Sequence, residues 1–157
     1  MGRTQLKKKD WDATARRLTA ACNRAKSVPK KVVVEFAEEV AKEWQKRIYG
    51  QQFRLKKLTR EYMDWKIAFG YDRRILIRTG KYVESVIVRR TKTGAMVDLD
   101  ARKRTFSGEP LWKLAHWLEY GTSKMDPRPH WRPLIPWVRV EWPRHFKKEV
   151  DSRVRGT

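Results

Sequence analysis

The chain has 157 residues, of which 40% are hydrophobic, and a net charge of +20 from 38 basic and 18 acidic side chains. Eight Trp, five Tyr and five Phe supply enough apolar bulk for a core, which excludes a chain disordered throughout. No apolar run approaches the roughly 18 residues needed to span a bilayer, the basic N-terminus lacks the apolar stretch of a secretory signal, and the lone Cys22 excludes an internal disulfide. A soluble protein made in the cytoplasm, with no membrane partner, is expected.

Residues 1–28 read as a basic arm with an accessory helix. Lys7, Lys8 and Lys9 lie in the arm, and Asp10 is placed to cap a helix running to about Lys26. Trp11, Ala15, Leu18, Cys22 and Ala25 form its narrow apolar stripe, with Arg16 and Arg17 off it. Ser27-Val28-Pro29 breaks the pattern, and residues 29–157 read as one α+β domain.

The spacing predicts a core helix from about Pro29 to Tyr49, with Val33, Phe36, Ala37, Val40, Trp44 and Ile48 on one face and Gly50 just past its end. Leu58, Tyr62, Trp65 and Phe69 predict a shorter helix closed by Gly70, followed by the apolar run Ile75-Leu76-Ile77. From Val86 the period changes to two. Val86 and Val88 alternate with Ile87 and Arg89, and after Thr91-Lys92-Thr93-Gly94 the residues Ala95, Val97 and Leu99 alternate with Met96, Asp98 and Asp100. This predicts a small antiparallel sheet, a hairpin within 83–100. Leu111, Leu114, Ala115 and Leu118 mark a short helix ending near Gly121. A proline-rich turn spans 126–136, and a last helix follows from Trp137 to about Val154, with a kink or late start at Pro143.

Two stretches carry a family signal. The first is Leu58-Thr59, then Lys66, then the run from Ile75 through Thr79-Gly80-Lys81-Tyr82-Val83-Glu84-Ser85 to Val88. The second is Leu118-Glu119-Tyr120-Gly121-Thr122-Ser123-Lys124-Met125, then Pro127-Arg128-Pro129-His130-Trp131-Arg132-Pro133-Leu134-Ile135. In motif and in order they resemble the tail-completion and neck (head-tail joining) proteins of long-tailed phages and the related virion morphogenesis proteins. The likeness covers roughly residues 30–150. The Pro-Arg-Pro spacing is tighter here, and His130 and Trp131 replace the usual aromatic. The resemblance implies a non-enzymatic virion protein, assembled in the host cytoplasm, without a cofactor. It would form a ring, a hexamer, at the head-tail junction or tail end. Its partners would be copies of itself, the adjacent connector or head-completion protein, the tail-tube or terminator protein, and packaged DNA.

The motif residues also have a physical reading. Gly80 and Gly121 permit positive φ, Thr79 is placed to cap the turn that holds Ser85, and Glu119-Tyr120-Gly121-Thr122 reads as a glycine-closed helix end. Pro129 and Pro133 stiffen the segment that follows. Residues 122–136 either brace the hairpin to the last helix, lie across a neighbouring subunit, or form an ordinary connecting loop.

His116, Glu119 and His130 raise the thought of a metal, but no second carboxylate stands at metal-site spacing, and none is expected. No catalytic residue is expected either: Cys22 lies on an apolar stripe, Asp98 and Asp100 on a solvated strand face, and no phosphate-cradling glycine loop is present. The basic clusters remain. Lys7, Lys8, Lys9, Arg73, Arg74, Arg89, Arg90, Lys92, Arg102, Lys103 and Arg104 are candidate contacts to DNA or to an acidic partner. They also support an alternative function, sequence-independent binding of nucleic acid.

Overall fold

The computed structural model describes residues 30–92 and 94–155. The expected arm, its lysines and the first helix lie outside the described residues. The described part is α+β, as expected: four helices and one two-stranded antiparallel sheet.

Helix α1 (30–49) is the axle. Val32, Phe36, Ala37, Ala41, Trp44 and Ile48 are buried along one face. The face is turned slightly from the predicted one, so that Val32 is fully buried and Val33 half-buried. Val33 instead meets the hairpin turn, where a Cβ on Gly94 would lie 2.9 Å from its Cγ1. Phe36 packs against Trp137, Trp142 and His145 of the last helix. Trp44 packs against Tyr82 and stacks on Trp131 at 4.5 Å between ring centres.

Helix α2 (Arg60–Ala68) starts at Thr59, whose hydroxyl accepts from the Tyr62 N–H, and closes at Gly70 with φ +69°. Its orientation departs from the prediction. Tyr62 and Phe69 are exposed, and the buried residue is Lys66. The reason is polar. The Lys66 ammonium donates to the carbonyls of Arg74 (2.8 Å) and Ile77 (2.6 Å), so α2 closes over the following loop instead of laying an aromatic stripe on the core. Burial lowers the Lys66 pKa. The run Ile75–Ile77 is part of that loop, with Leu76 at φ +65°. The Gln51 side chain holds it from the other side, accepting from the Ile75 N–H and donating to the Ile75 carbonyl.

A 3-10 turn (Val83–Ser85) leads into β1 (Val86–Arg90), which pairs with β2 (Ala95–Leu99) in the register Val86–Leu99 to Arg90–Ala95. The turn lies where the period-two pattern broke, and the Thr91 N–H donates to the Gly94 carbonyl. Helix α3 (Leu111–Tyr120) ends at Gly121. A second 3-10 turn (Arg132–Leu134) runs directly into α4 (Ile135–Arg155). Helix α4 therefore starts before Trp137 and continues through Pro143, where a kink or a late start was the expectation, so the late start is not made. Its first turn is fixed from outside, as shown below. Among the described residues no helix is long and apolar enough to cross a membrane.

Lys66→Met should cost about 3 kcal/mol, because two loop carbonyls lose a charged donor in a buried place. Denaturant unfolding checks this, with the exposed Lys57→Met expected to be near neutral.

Candidate functional site

The two signature stretches meet at one carboxylate. Glu119, in the last turn of α3, is only 4% exposed. Its Oε2 accepts the backbone N–H of His130 (2.8 Å) and Trp131 (3.0 Å), and its Oε1 accepts the N–H of Arg132 (3.0 Å) and the Arg132 Nε (3.0 Å). Three consecutive N–H groups at the start of the last helical segment are thus satisfied by one side chain. These are the donors a helix start leaves without intrahelical partners, and a negative charge there is favoured by the helix dipole.

The reverse tie is made by the same few residues. The Trp117 carbonyl accepts from Gly121 N–H, the Leu118 carbonyl from Arg128 N–H (2.6 Å), and the Glu119 carbonyl from Arg132 Nη2 (3.1 Å). Every backbone N–H from 128 to 132 therefore bonds to the last turn of α3, except at Pro129, which has none to offer. Pro133 sits in the first turn of the 3-10 segment, where a missing N–H costs nothing. Within this chain the segment braces the end of α3 to the start of the last helical segment.

His130 carries the brace into the core. It is fully buried, with Nε2 2.6 Å from the Tyr82 hydroxyl and Nδ1 2.8 Å from the Arg128 carbonyl. A carbonyl can only accept, so Nδ1 carries the proton and Nε2 accepts from Tyr82. Trp131 Nε1 donates to the same hydroxyl (3.3 Å). Ser85 is fully buried and donates to the Tyr82 carbonyl (2.6 Å). Burial raises the Tyr82 pKa and lowers that of His130. For Glu119, burial pushes upward, but the three backbone donors and Arg132 outweigh it and hold the carboxyl below its ordinary value. His130 is neutral and Glu119 charged at pH 7.

Gly121 is required by geometry. Its φ of +80° with ψ of −179° is a region open essentially to glycine alone. A Cβ there would lie 2.8 Å from the Met125 carbonyl oxygen and 3.0 Å from Pro127. Thr122 turns the chain, its hydroxyl accepting from Lys124 N–H. Gly80, at φ +80°, accepts the Glu84 N–H on its carbonyl. The expected Thr79 cap is not made. The turn starts at Tyr82 without a side-chain cap, and Thr79 is exposed, because the Gly80 carbonyl and Ser85 hydroxyl already secure the turn. Tyr120 is exposed and serves as a shelf for the Arg132 guanidinium, 4.9 Å above its ring.

His116 lies against Tyr120, away from this joint. Among the described residues no three His, Cys, Asp or Glu are grouped to hold a metal ion.

The candidate basic contacts divide. Arg74 is paired with Asp72, Arg89 with Asp98 and Arg102 with Asp100, while Lys103 donates to the Glu84 carbonyl. The Arg74 guanidinium drives the Asp72 pKa down to about 2. Arg73, Arg90 and Lys92 are exposed. Arg104 borders a groove between α2 and α3, together with Lys66, Arg78, Lys81, Lys124 and Arg128. Asp72 and Asp100, each two residues before its arginine, were the available signal, whereas Asp98 meets Arg89 across the hairpin, nine residues on.

No family model, curated protein or solved structure matches this chain.

The joint makes stability fall in acid. The unfolded chain takes up protons on His130 near 6.5 and on Glu119 near 4.5, whereas both folded values lie lower. The melting temperature should be flat above pH 7, decline below about 6.5 and fall again below about 4.5. Glu119→Gln should cost about 3 kcal/mol at pH 7 and flatten the lower limb, read by calorimetry across pH. Gly121→Ala should cost about 2–3 kcal/mol, at least twice the effect of Gly70→Ala, where a Cβ meets nothing within 4 Å.

Proposed function

We propose that this chain is a structural protein of a tailed-phage particle, forming a ring at the head-tail junction or tail end that completes the tail and joins it to the head. The single observation that carries this reading is the convergence of the two signature stretches. Tyr82 and Ser85 of the first, with Glu119, His130 and Trp131 of the second, build one buried joint. Residues that resemble a family's motif are here a load path between a hairpin and two helices. The arrangement favours transmission of position over chemistry, since the carboxylate and imidazole spend their hydrogen bonds holding the chain.

The surface around the joint supports a partnered state. Phe106, Trp112, Tyr120, Ile135 and Val140 are all exposed. Large apolar side chains of this kind are covered when subunits meet. In the proposed ring, copies of the chain would mate through exposed apolar side chains of this kind, and adjacent connector and tail layers through shape and charge. The exposed Arg73, Arg90 and Lys92 favour a second reading, a free protein that binds nucleic acid without reading sequence.

Particles assembled without the protein should show unjoined heads and tails by electron microscopy, and Trp112→Glu should give the same defect while the isolated chain keeps its melting temperature. Normally joined, infectious particles would end the virion reading. Tight duplex binding by the isolated chain, with a logarithmic salt slope of about −3 removed by changing Arg73, Arg90 and Lys92 to Gln, would favour the second reading.

A further inference from the structure

A half-open groove of about 640 Å³ lies between α2, the loop before Tyr82, residues 104–107 and α3. Its floor is aliphatic: Leu58, Leu76, Ile77, Leu111, Leu114 and Leu118. Its charged lining has one sign. Lys66, Arg78, Lys81, Arg104, Lys124 and Arg128 border it, with the buried Lys66 ammonium already committed to the Arg74 and Ile77 carbonyls, and no Asp or Glu does. None of these six forms a salt bridge, although thirteen ion pairs are found among the described residues. Asp126, beside Arg128, is held by Lys56 at 2.8 Å. Elsewhere on the molecule Arg60, Arg74, Arg89 and Arg102 pair with aspartates, and the arginines around this groove pair with none.

Arg78 is the most distinctive of the six. Its guanidinium lies 4.6 Å from the ring centre of Tyr71, 4.8 Å from Trp65 and 5.3 Å from Phe106, and its Nη2 donates to the Tyr71 hydroxyl. Its buried Nε–H has no acceptor. Phe106 packs on it while remaining 92% exposed, so the outer ring face is open at the groove's rim. A guanidinium held rigidly on aromatic faces has lost little further entropy to give when it meets a carboxylate.

We propose that this groove docks a segment of another protein in which Asp or Glu alternates with large apolar residues. The aliphatic floor calls for apolar side chains, and the border of cations calls for carboxylates. A second copy of the chain is a poor occupant, since the chain carries +20 overall and its first 31 residues hold ten basic against two acidic groups. Single-stranded nucleic acid matches the charge but not the aliphatic floor, because bases bind by stacking on successive aromatic faces, and here Arg78 occupies faces of Tyr71 and Trp65, which leaves Phe106 alone at the rim beside it. The proposal concerns the open groove, which shares Tyr82, Leu118 and Arg128 with the buried joint, and does not rest on the virion reading.

The test pans the full chain against a random library of peptides about twelve residues long, the length that fills such grooves. Enriched peptides should combine Asp or Glu with Leu, Phe or Trp, and bind with Kd near 10 μM, weakening about tenfold at high salt. The triple variant Lys81→Glu, Arg104→Glu, Lys124→Glu changes exposed residues and should abolish that binding. The matched variant Arg73→Glu, Arg90→Glu, Lys92→Glu carries the same charge change elsewhere and should retain it. Three results overturn the proposal: no enrichment of acidic-apolar peptides, equal loss in both triple variants, or displacement of the selected peptides by an oligothymidylate that itself binds more tightly.

Discussion

A carboxylate taken out of water must either find donors or give up its charge. Glu119 finds four donors, three of them successive backbone N–H groups, and keeps the charge. Because the donors are the first N–H groups of the final helical segment, the bond does more than neutralise a side chain. It decides where α4 begins and how it leaves α3. The carbonyls at the end of α3 are bound by the same residues, so the helix end and the helix start satisfy each other. The proline pattern follows from this accounting. Each proline falls where no donor is needed, and each residue between them supplies one that is used.

Around this tie the core is assembled by aromatic contact. Trp44 lies at the centre, with Trp131 stacked on it and Tyr82 at its edge. Tyr82 bonds His130 and Trp131, and Ser85 bonds the Tyr82 carbonyl, so the turn before β1 and the brace share one buried polar chain, against which α1 packs the Trp44 ring. Such a network is costly if any member is removed and rigid while all are present. It suits a component whose work is to hold surfaces in register, which is the role proposed for it. The charge is arranged by the same logic of partners. Arg74 and Arg102 pair with an aspartate two residues back and Arg89 with one across the hairpin, whereas the cations around the groove form no salt bridge.

Much of the architecture was legible from spacing. The core helix, the hairpin and the glycine that closes α3 stand where periodicity and turn chemistry put them, because each depends on neighbours within a few residues. The motif residues were also visible, but their work was not. Glu119 read as part of a helix end, and its partners lie eleven to thirteen residues further on. Thr79 offered a local cap that the fold declined. Lys66 was masked by its type, since a lysine between two aromatics reads as an outward residue until two carbonyls are brought to it.

The sequence by itself determined which stretches would be helix or strand and where the chain must turn, since these follow from side-chain period, glycine and proline. Only the tertiary structure decided which polar groups would be buried and which charges would be left without partners. Both depend on donors and acceptors distant along the chain reaching hydrogen-bond distance, and no local pattern encodes that meeting.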